Sequence, residues 1–216
     1  MKKLIGANSP FLIPYFTFLI IAGFIILIYP KGEIHLYLNQ FHNNFGDYFF
    51  YTATYAGDGL AVVGMVFLLC FFKYRFAILV ALSNIASSLF TQLLKHTVFS
   101  DIVRPKKFFE STDQLNLIPW VENYLYNSFP SGHTTAAFTT FFCLALIIEN
   151  KLLKFLMLVI ALTIGFSRIY LSQHFLNDVY AGSLIGVTTS ILVFYYLVFS
   201  EKSMKLLWME KSFLKK

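Results

Sequence analysis

The sequence predicts an all-α, polytopic membrane protein: six transmembrane helices with interfacial helices, folded as a single integral membrane domain over residues 1–216. Three observations predict it. Hydrophobic side chains make up 57% of the chain and charged ones 13%, a balance that suits lipid better than a soluble core. The charges avoid several apolar stretches near the ~20 residues that cross ~30 Å of hydrocarbon. Lysine and arginine divide unequally between alternate connections, as the positive-inside rule requires of a multi-pass chain.

Lys2 and Lys3 precede an apolar stretch over about 11–29. Its hydrophobic part is too long for a signal peptide and no small-residue cleavage site follows, so it is read as the first span. Further spans are expected over roughly 60–72, extended backward through the mixed segment before it, then 76–97, 134–148, 152–170 and 179–199. Residues 33–55 mix Leu36, Leu38, Phe41, Phe45 and Phe49 with Asn, Asp and His at near-helical spacing, which predicts a helix lying in the interface. His35 and His42 are expected there as solvated surface residues, since two histidines without a third ligand do not hold a metal. Cys70 and Cys143 fall inside apolar runs, which points neither to a disulfide framework nor to zinc. The tail 201–216, with Leu206, Leu207, Trp208, Phe213 and Leu214, reads as a surface anchor.

The formal net charge is +6, yet the lysines flank apolar segments instead of clustering, so they read as topology signals and no nucleic-acid partner is expected. With the N-terminus inside, the inner side holds Lys2, Lys3, Lys73, Arg75, Lys151, Lys154 and the five lysines after Ser200. The outer side holds Lys31, Lys95, Arg104, Lys106, Lys107 and Arg168. Both termini are therefore expected in the cytoplasm. All five histidines then face outward.

The polar residues on that outer side form a pattern. Ser167-Arg168 and His174 to Asp178 stand where two spans meet, and charge at such a position costs about 2.5–3.5 kcal/mol at mid-bilayer, which marks it as functional by default. Asp178 follows His174 by four positions, which on a helix sets the carboxylate beside the imidazole. Pro130-Ser131-Gly132-His133 precedes the fourth span, where a helix start turns unpaired N–H groups and its positive dipole end toward an anion. The loop over about 98–133 carries Arg104-Pro105, Lys106, Lys107, Trp120, Tyr124 and Tyr126, which suits the lip of a pocket for a lipid head group. Lys95 ends the third span. Lys95 and Arg104 can close over one anion, with Arg168 as a third cation, arginine as paired donors and lysine as a compact charge; the alternative is that they are snorkelling or positive-flank residues, against which their place on the outer side argues.

Together these pieces resemble the type 2 phosphatidic acid phosphatase family, whose pattern is a lysine, then Arg-Pro; Pro-Ser-Gly-His; and Ser-Arg, five residues, His, three residues, Asp. The second and third elements match without a gap at Pro130 to His133 and Ser167 to Asp178. The first departs: eight residues separate Lys95 from Arg104 where the family has six. Either the loop has grown by two residues while Lys95 keeps its place, which is favoured because Lys95 closes a helix, or Lys106 or Lys107 has taken over.

The resemblance implies that His174 attacks phosphorus to give a phosphohistidine, that Asp178 holds its ring, and that His133 protonates the departing oxygen and then activates water. Lys95, Arg104, Arg168 and the amides around Ser131 and Gly132 would bind phosphate. No metal and no cofactor are implied. The expected partners are a membrane lipid phosphate and the bilayer, with no obligate protein partner. The expected setting is a cell inner membrane, multi-pass, with the site on the periplasmic or outer face. Lipid A or an isoprenyl diphosphate is favoured as substrate because the stretch Arg104 to Lys107 is basic. A lipid phosphotransferase with the same residues is the nearest alternative, and a transporter with an intramembrane polar path a more distant one.

Overall fold

The computed structural model describes residues 6–112, 114–199 and 206–214. Among these, every regular element is helical. Helix α1 (Ser9–Ile28) starts with Pro10 in its first turn, where a missing N–H costs nothing. A short α2 (Lys31–Asn39) follows, then α3 (Asn44–Ala53), whose cap residue Asn43 accepts the Gly46 amide at 2.9 Å. A 3₁₀ turn, Thr54–Gly57, ends α3, and α4 (Gly59–Leu69) leaves it at a bend of 57°. Helix α5 (Tyr74–Leu93) continues into a π-helical turn, Leu94–Val98. After a loop with one helical turn, Pro105–Phe108, come α6 (Gly132–Ile147), α7 (Lys151–Tyr170) and α8 (Leu176–Phe199).

Among the described residues, four helices are long and apolar enough to cross a membrane, Ser9–Ile28, Tyr74–Val98, Lys151–Tyr170 and Leu176–Val198, and the bent pair of α3 and α4 makes a fifth if taken as one span. The remaining expected span is α6, a shorter apolar helix of 16 residues, about 24 Å at 1.5 Å per residue. Its length follows from its place. Helix α6 is the post around which α5, α7 and α8 pack, and Ala137, Phe138, Phe142, Cys143 and Ala145 on it are fully buried. It meets other helices on all sides, so it need not match the lipid thickness.

Packing against α6 depends on small residues of α8. A Cβ added at Gly182 would lie 2.7 Å from the Ser131 carbonyl oxygen, and one at Gly186 would lie 2.7 Å from that of Thr135. One turn further on, Ser190 donates to the Thr139 carbonyl at 3.2 Å. Small residues four apart let two backbones meet, the usual way for helices to associate where apolar burial gives no preference over lipid. On the opposite side, Asn84 bonds Thr140 at 3.0 Å and Thr139 donates to Ser87 at 3.0 Å, tying α5 to the same post. The outward faces of α1 and α4, with Ile20, Leu27, Leu60 and Val63, are exposed apolar surface of the kind lipid covers.

Three expectations change. The 33–55 segment is two helices separated by a turn, and the second continues through the bend into α4. His35 is not solvated: it is 1% exposed, with Nε2 3.1 Å from Ser172 Oγ and its ring against Phe109 and Phe175. His42 is not free at the surface either, because it pairs with Asp47 at 3.2 Å and stacks on Tyr170. The helix α2 places an apolar stripe on α7 and α8, and His35 lies on it. Of the tail, residues 206–214 lie within the described part. They strap across the α4–α5 connection through Tyr74 N to Lys211 O and Phe213 N to Cys70 O, both 2.9 Å, and through Glu210 to Lys73 and Arg75.

Candidate active site

The end of α7 and the start of α8 make the floor of the site. Helix α7 stops at Tyr170, and Ser172 turns the chain with a φ of 52°, a conformation few non-glycine residues adopt. The turn is closed by the Gln173 and His174 amides, which both donate to the Arg168 carbonyl at 2.9 and 3.0 Å. His174 is thereby fixed at its backbone before its side chain makes any contact.

Asp178 holds the ring. Its Oδ2 lies 3.2 Å from His174 Nδ1 and accepts from the Phe175 amide at 3.0 Å and from Ser128 Oγ at 2.5 Å. An ionised carboxylate only accepts, so the proton of the imidazole belongs on Nδ1, and Nε2 keeps a free lone pair. Burial, followed by the positive charges of Arg104, Arg168 and Lys95 and the nearby His133, holds His174 well below the ordinary histidine value. The ring is therefore neutral near pH 7. The same Asp178 accepts the Ser131 amide on its backbone carbonyl at 3.0 Å, which joins the start of α8 to the start of α6.

At the start of α6, Ser131 is committed to structure. Its hydroxyl accepts from the Thr134 amide at 3.4 Å and from Thr134 Oγ1 at 2.8 Å, and its own amide goes to Asp178. The amide of Ser131 is thus already engaged, while those of Gly132 and His133 are the first two of the helix, which have no intrahelical acceptor. Gly132 faces open space on its Cβ side, so an oxygen can approach the backbone there. The His133 ring is half-buried among Arg168, Asp58, Lys95 and Arg104.

The cations come from three elements. Lys95 lies in the π-helical turn, is 7% exposed, and donates to the Asn127 carbonyl at 3.2 Å. Such a turn rotates one residue off the α-helical face, a distortion common at functional sites. Lys106 is exposed and Lys107 pairs with Glu110, so neither occupies the place of Lys95. Arg104 donates through Nε to the Tyr126 carbonyl at 2.9 Å and through Nη1 to the Gln173 carbonyl and side chain at 3.3 Å. Burial draws its guanidinium down from the ordinary value, and the Asp178 carboxylate opposes that. Arg168 is 7% exposed and donates through Nη1 to Thr54 Oγ1 at 2.6 Å, while its buried Nε has no partner among the described residues.

Three polar residues here carry no sequence signal. Ser128 completes the shell of Asp178. Gln173 ties Arg104 to the loop by donating to the Glu122 carbonyl and Asn123 Oδ1, both at 2.7 Å. Thr54 reaches Arg168 from a helix end 114 residues away. Each has an ordinary local context, so only the fold reveals its place. All eight residues expected at the site lie in this one cluster at a single end of the helix bundle, with Ser131 as a structural member.

The chain is similar to several known proteins. Over 80 residues the chain is 39% identical to bacitracin transport permease protein BcrC of Bacillus licheniformis, a stretch covering 37% of this chain and 38% of that protein. Over 78 residues it is 40% identical to "Putative undecaprenyl-diphosphatase YbjG" of Escherichia coli K12, covering 32% of this chain and 38% of that one. The matched stretches thus span well under half the length of these curated relatives. Among solved structures, Aquifex aeolicus LpxE superposes with a TM-score of 0.67 at 28% identity, over 76% of this chain and 94% of that one. A transmembrane PAP2 type phosphatidylglycerolphosphate phosphatase from Bacillus subtilis superposes with a TM-score of 0.62 at 22% identity, over 93% and 100%, a likeness of fold. The profile of the PAP2 superfamily matches residues 76–202, more than half the chain and the whole stretch from Lys95 to Asp178, and the chain belongs to that superfamily.

Proposed function

We propose that the protein is a membrane lipid phosphatase that removes phosphate from a lipid phosphomonoester or diphosphate through a phosphohistidine at His174. One observation carries the reading: an imidazole whose Nδ1 is held by Asp178 stands among three buried cations, Lys95, Arg104 and Arg168, the last with a buried Nε that has no partner among the described residues. A buried cluster of like charges is costly unless an anion joins it, and phosphate supplies that charge.

In this scheme Lys95, Arg104, Arg168 and the first amides of α6 hold the three equatorial oxygens. His174 Nε2 forms a bond to phosphorus as the bond to the leaving oxygen breaks, and Asp178 stabilises the charge that develops on the ring. His133 gives its proton to the leaving oxygen. It then takes a proton from water, whose oxygen attacks phosphorus, and the bond to Nε2 breaks to release phosphate and the neutral ring. Fixed donors aimed at the transition state supply most of the rate, so no metal is needed. The distribution of lysine and arginine supports a site on the outer face with both termini cytoplasmic, and the family resemblance supports a cell inner membrane as the setting.

Lipid A and an isoprenyl diphosphate are the favoured substrates. Both join a phosphate or diphosphate to an apolar anchor, and relatives of this chain include one named for undecaprenyl diphosphate. The test is a phosphate-release panel with purified protein across lipid A, an isoprenyl diphosphate, phosphatidylglycerol phosphate and phosphatidic acid. His174→Ala and His133→Ala are expected to abolish release while the thermal midpoint stays near wild type. EDTA should have no effect and vanadate should inhibit. Ion or lipid flux without phosphate release would contradict the reading, as would loss of activity on chelation that is reversed by added metal. Phosphate appearing on an added lipid acceptor in place of water would reassign the enzyme as a phosphotransferase.

A further inference from the structure

One wall of the phosphate site comes from a part of the chain that carries none of the motifs. The 3₁₀ turn Thr54–Gly57 at the end of α3 wedges between α6 and α7 at the level of Arg168 and His133. At its first residue, the Thr54 hydroxyl accepts from Arg168 Nη1 at 2.6 Å, and both residues are buried. At its last, Gly57 has no room for a side chain, since a Cβ there would stand 2.7 Å from Ile164 Cγ2 and 2.9 Å from the His133 carbonyl oxygen. The turn is thus pinned to α7 by a hydrogen bond and to α6 by backbone contact. The 57° bend between α3 and α4 lies just beyond it, where the backbone of Asp58 is extended.

The position of the bond on Arg168 decides what the turn does. A guanidinium is planar, and Nη1 lies on the same side as the side-chain stem. The edge away from it, Nε with Nη2, is one of two that can meet two oxygens of an anion in parallel, and it is the one that does not use Nη1. In Arg168, Nη1 is engaged by Thr54, Nε is buried without a partner, and Nη2 makes no hydrogen bond among the described residues. Asp58, the residue after the turn, is close enough for its charge to act on Arg168, but among the described residues it makes no salt bridge with it.

We propose that Thr54 is a positioning residue for Arg168: its hydroxyl takes Nη1 and fixes the guanidinium plane so that the Nε and Nη2 edge is presented to the phosphate. This rests on the reading of the pocket as a phosphate site. The broken helix between α3 and α4 is then part of the phosphate-binding apparatus as well as a span.

The test uses the whole protein in the phosphate-release assay with its best lipid. Thr54→Val keeps the shape and removes the acceptor, and is expected to lower kcat/KM by about tenfold or more and to weaken vanadate inhibition by a similar factor. Thr54→Ser keeps the acceptor and should recover both to within about threefold of wild type. In an Arg168→Lys background, which lacks the fork, Thr54→Val should cost less than about twofold more, because the two residues act as one unit. Should Thr54→Val fail to fold, Thr54→Ala against Thr54→Ser gives the same comparison. Wild-type kcat/KM and wild-type vanadate affinity in Thr54→Val would overturn the proposal. So would an equal cost of Thr54→Val in both backgrounds, or a Thr54→Ser variant no better than Thr54→Val. Those results would leave the phosphatase reading standing. A wild-type protein that releases no phosphate from any lipid would sink both.

Discussion

At the scale of single residues, the site turns on which nitrogen carries a proton. Asp178 fixes that by accepting on one oxygen from three donors, of which His174 Nδ1 is one. The question of which lysine serves the first motif is also a residue question, and geometry favours Lys95 as the one to test first. Lys95 is buried beside Asn127 while Lys106 faces solvent. Lys95→Met is expected to lower kcat/KM by roughly 100-fold, whereas Lys106→Met should change it by less than about twofold. Steady-state kinetics on one lipid checks both. His35 gives a prediction about stability. Burial, and next the nearby His42, lower its pKa from 6.5 to about 4. As pH falls through 6.5 the unfolded chain takes up a proton that the folded one refuses, so stability is lost until about pH 4, where both states are protonated. The loss attributable to this ring is roughly 3 kcal/mol at most. Thermal unfolding of wild type and His35→Gln between pH 7 and 4.5 should show the wild type losing its advantage as pH falls.

At the scale of elements, two local departures from regular helix shape the site, and neither was legible in the sequence. The π-helical turn at Leu94–Val98 ends a segment whose composition reads as plain helix. The bend after Gly57 lies in a stretch of mixed polarity, which is why 33–55 reads as a surface helix. In both cases tertiary contacts, the Lys95 bond to Asn127 and the seat of Gly57 on His133, determine what local propensity leaves open. The small-residue stripe of α8, Gly182 and Gly186 four apart, gains its meaning only from the backbone of α6 that it meets in the fold. Gly186→Ala would bring a Cβ within 3.0 Å of three α6 atoms, two of them backbone, and should cost about 1–3 kcal/mol. Gly64→Ala on α4, with nothing within 4 Å of the added Cβ, should not destabilise. Unfolding in detergent separates the two variants.

At the scale of the whole molecule, helix class and site converge because the same polar residues that break apolar runs also gather at one end of the bundle. The apolar segments were legible because lipid sets their length and composition. The second and third motifs were legible because a helix start and an i, i+4 pair place their side chains by local geometry alone. Thr54, Ser128 and Gln173 were not legible, because each enters the site through contacts between segments 50 or more residues apart. The shortness of α6 fits this arrangement too: a helix wrapped by its neighbours need not match the thickness of the lipid. The most direct test of this picture is rapid quenching of the protein with lipid labelled in its terminal phosphate, followed by identification of the labelled peptide. The account predicts an acid-labile phosphoryl group on His174 that is absent from His174→Ala. Turnover without label, or label on any other residue, would contradict it.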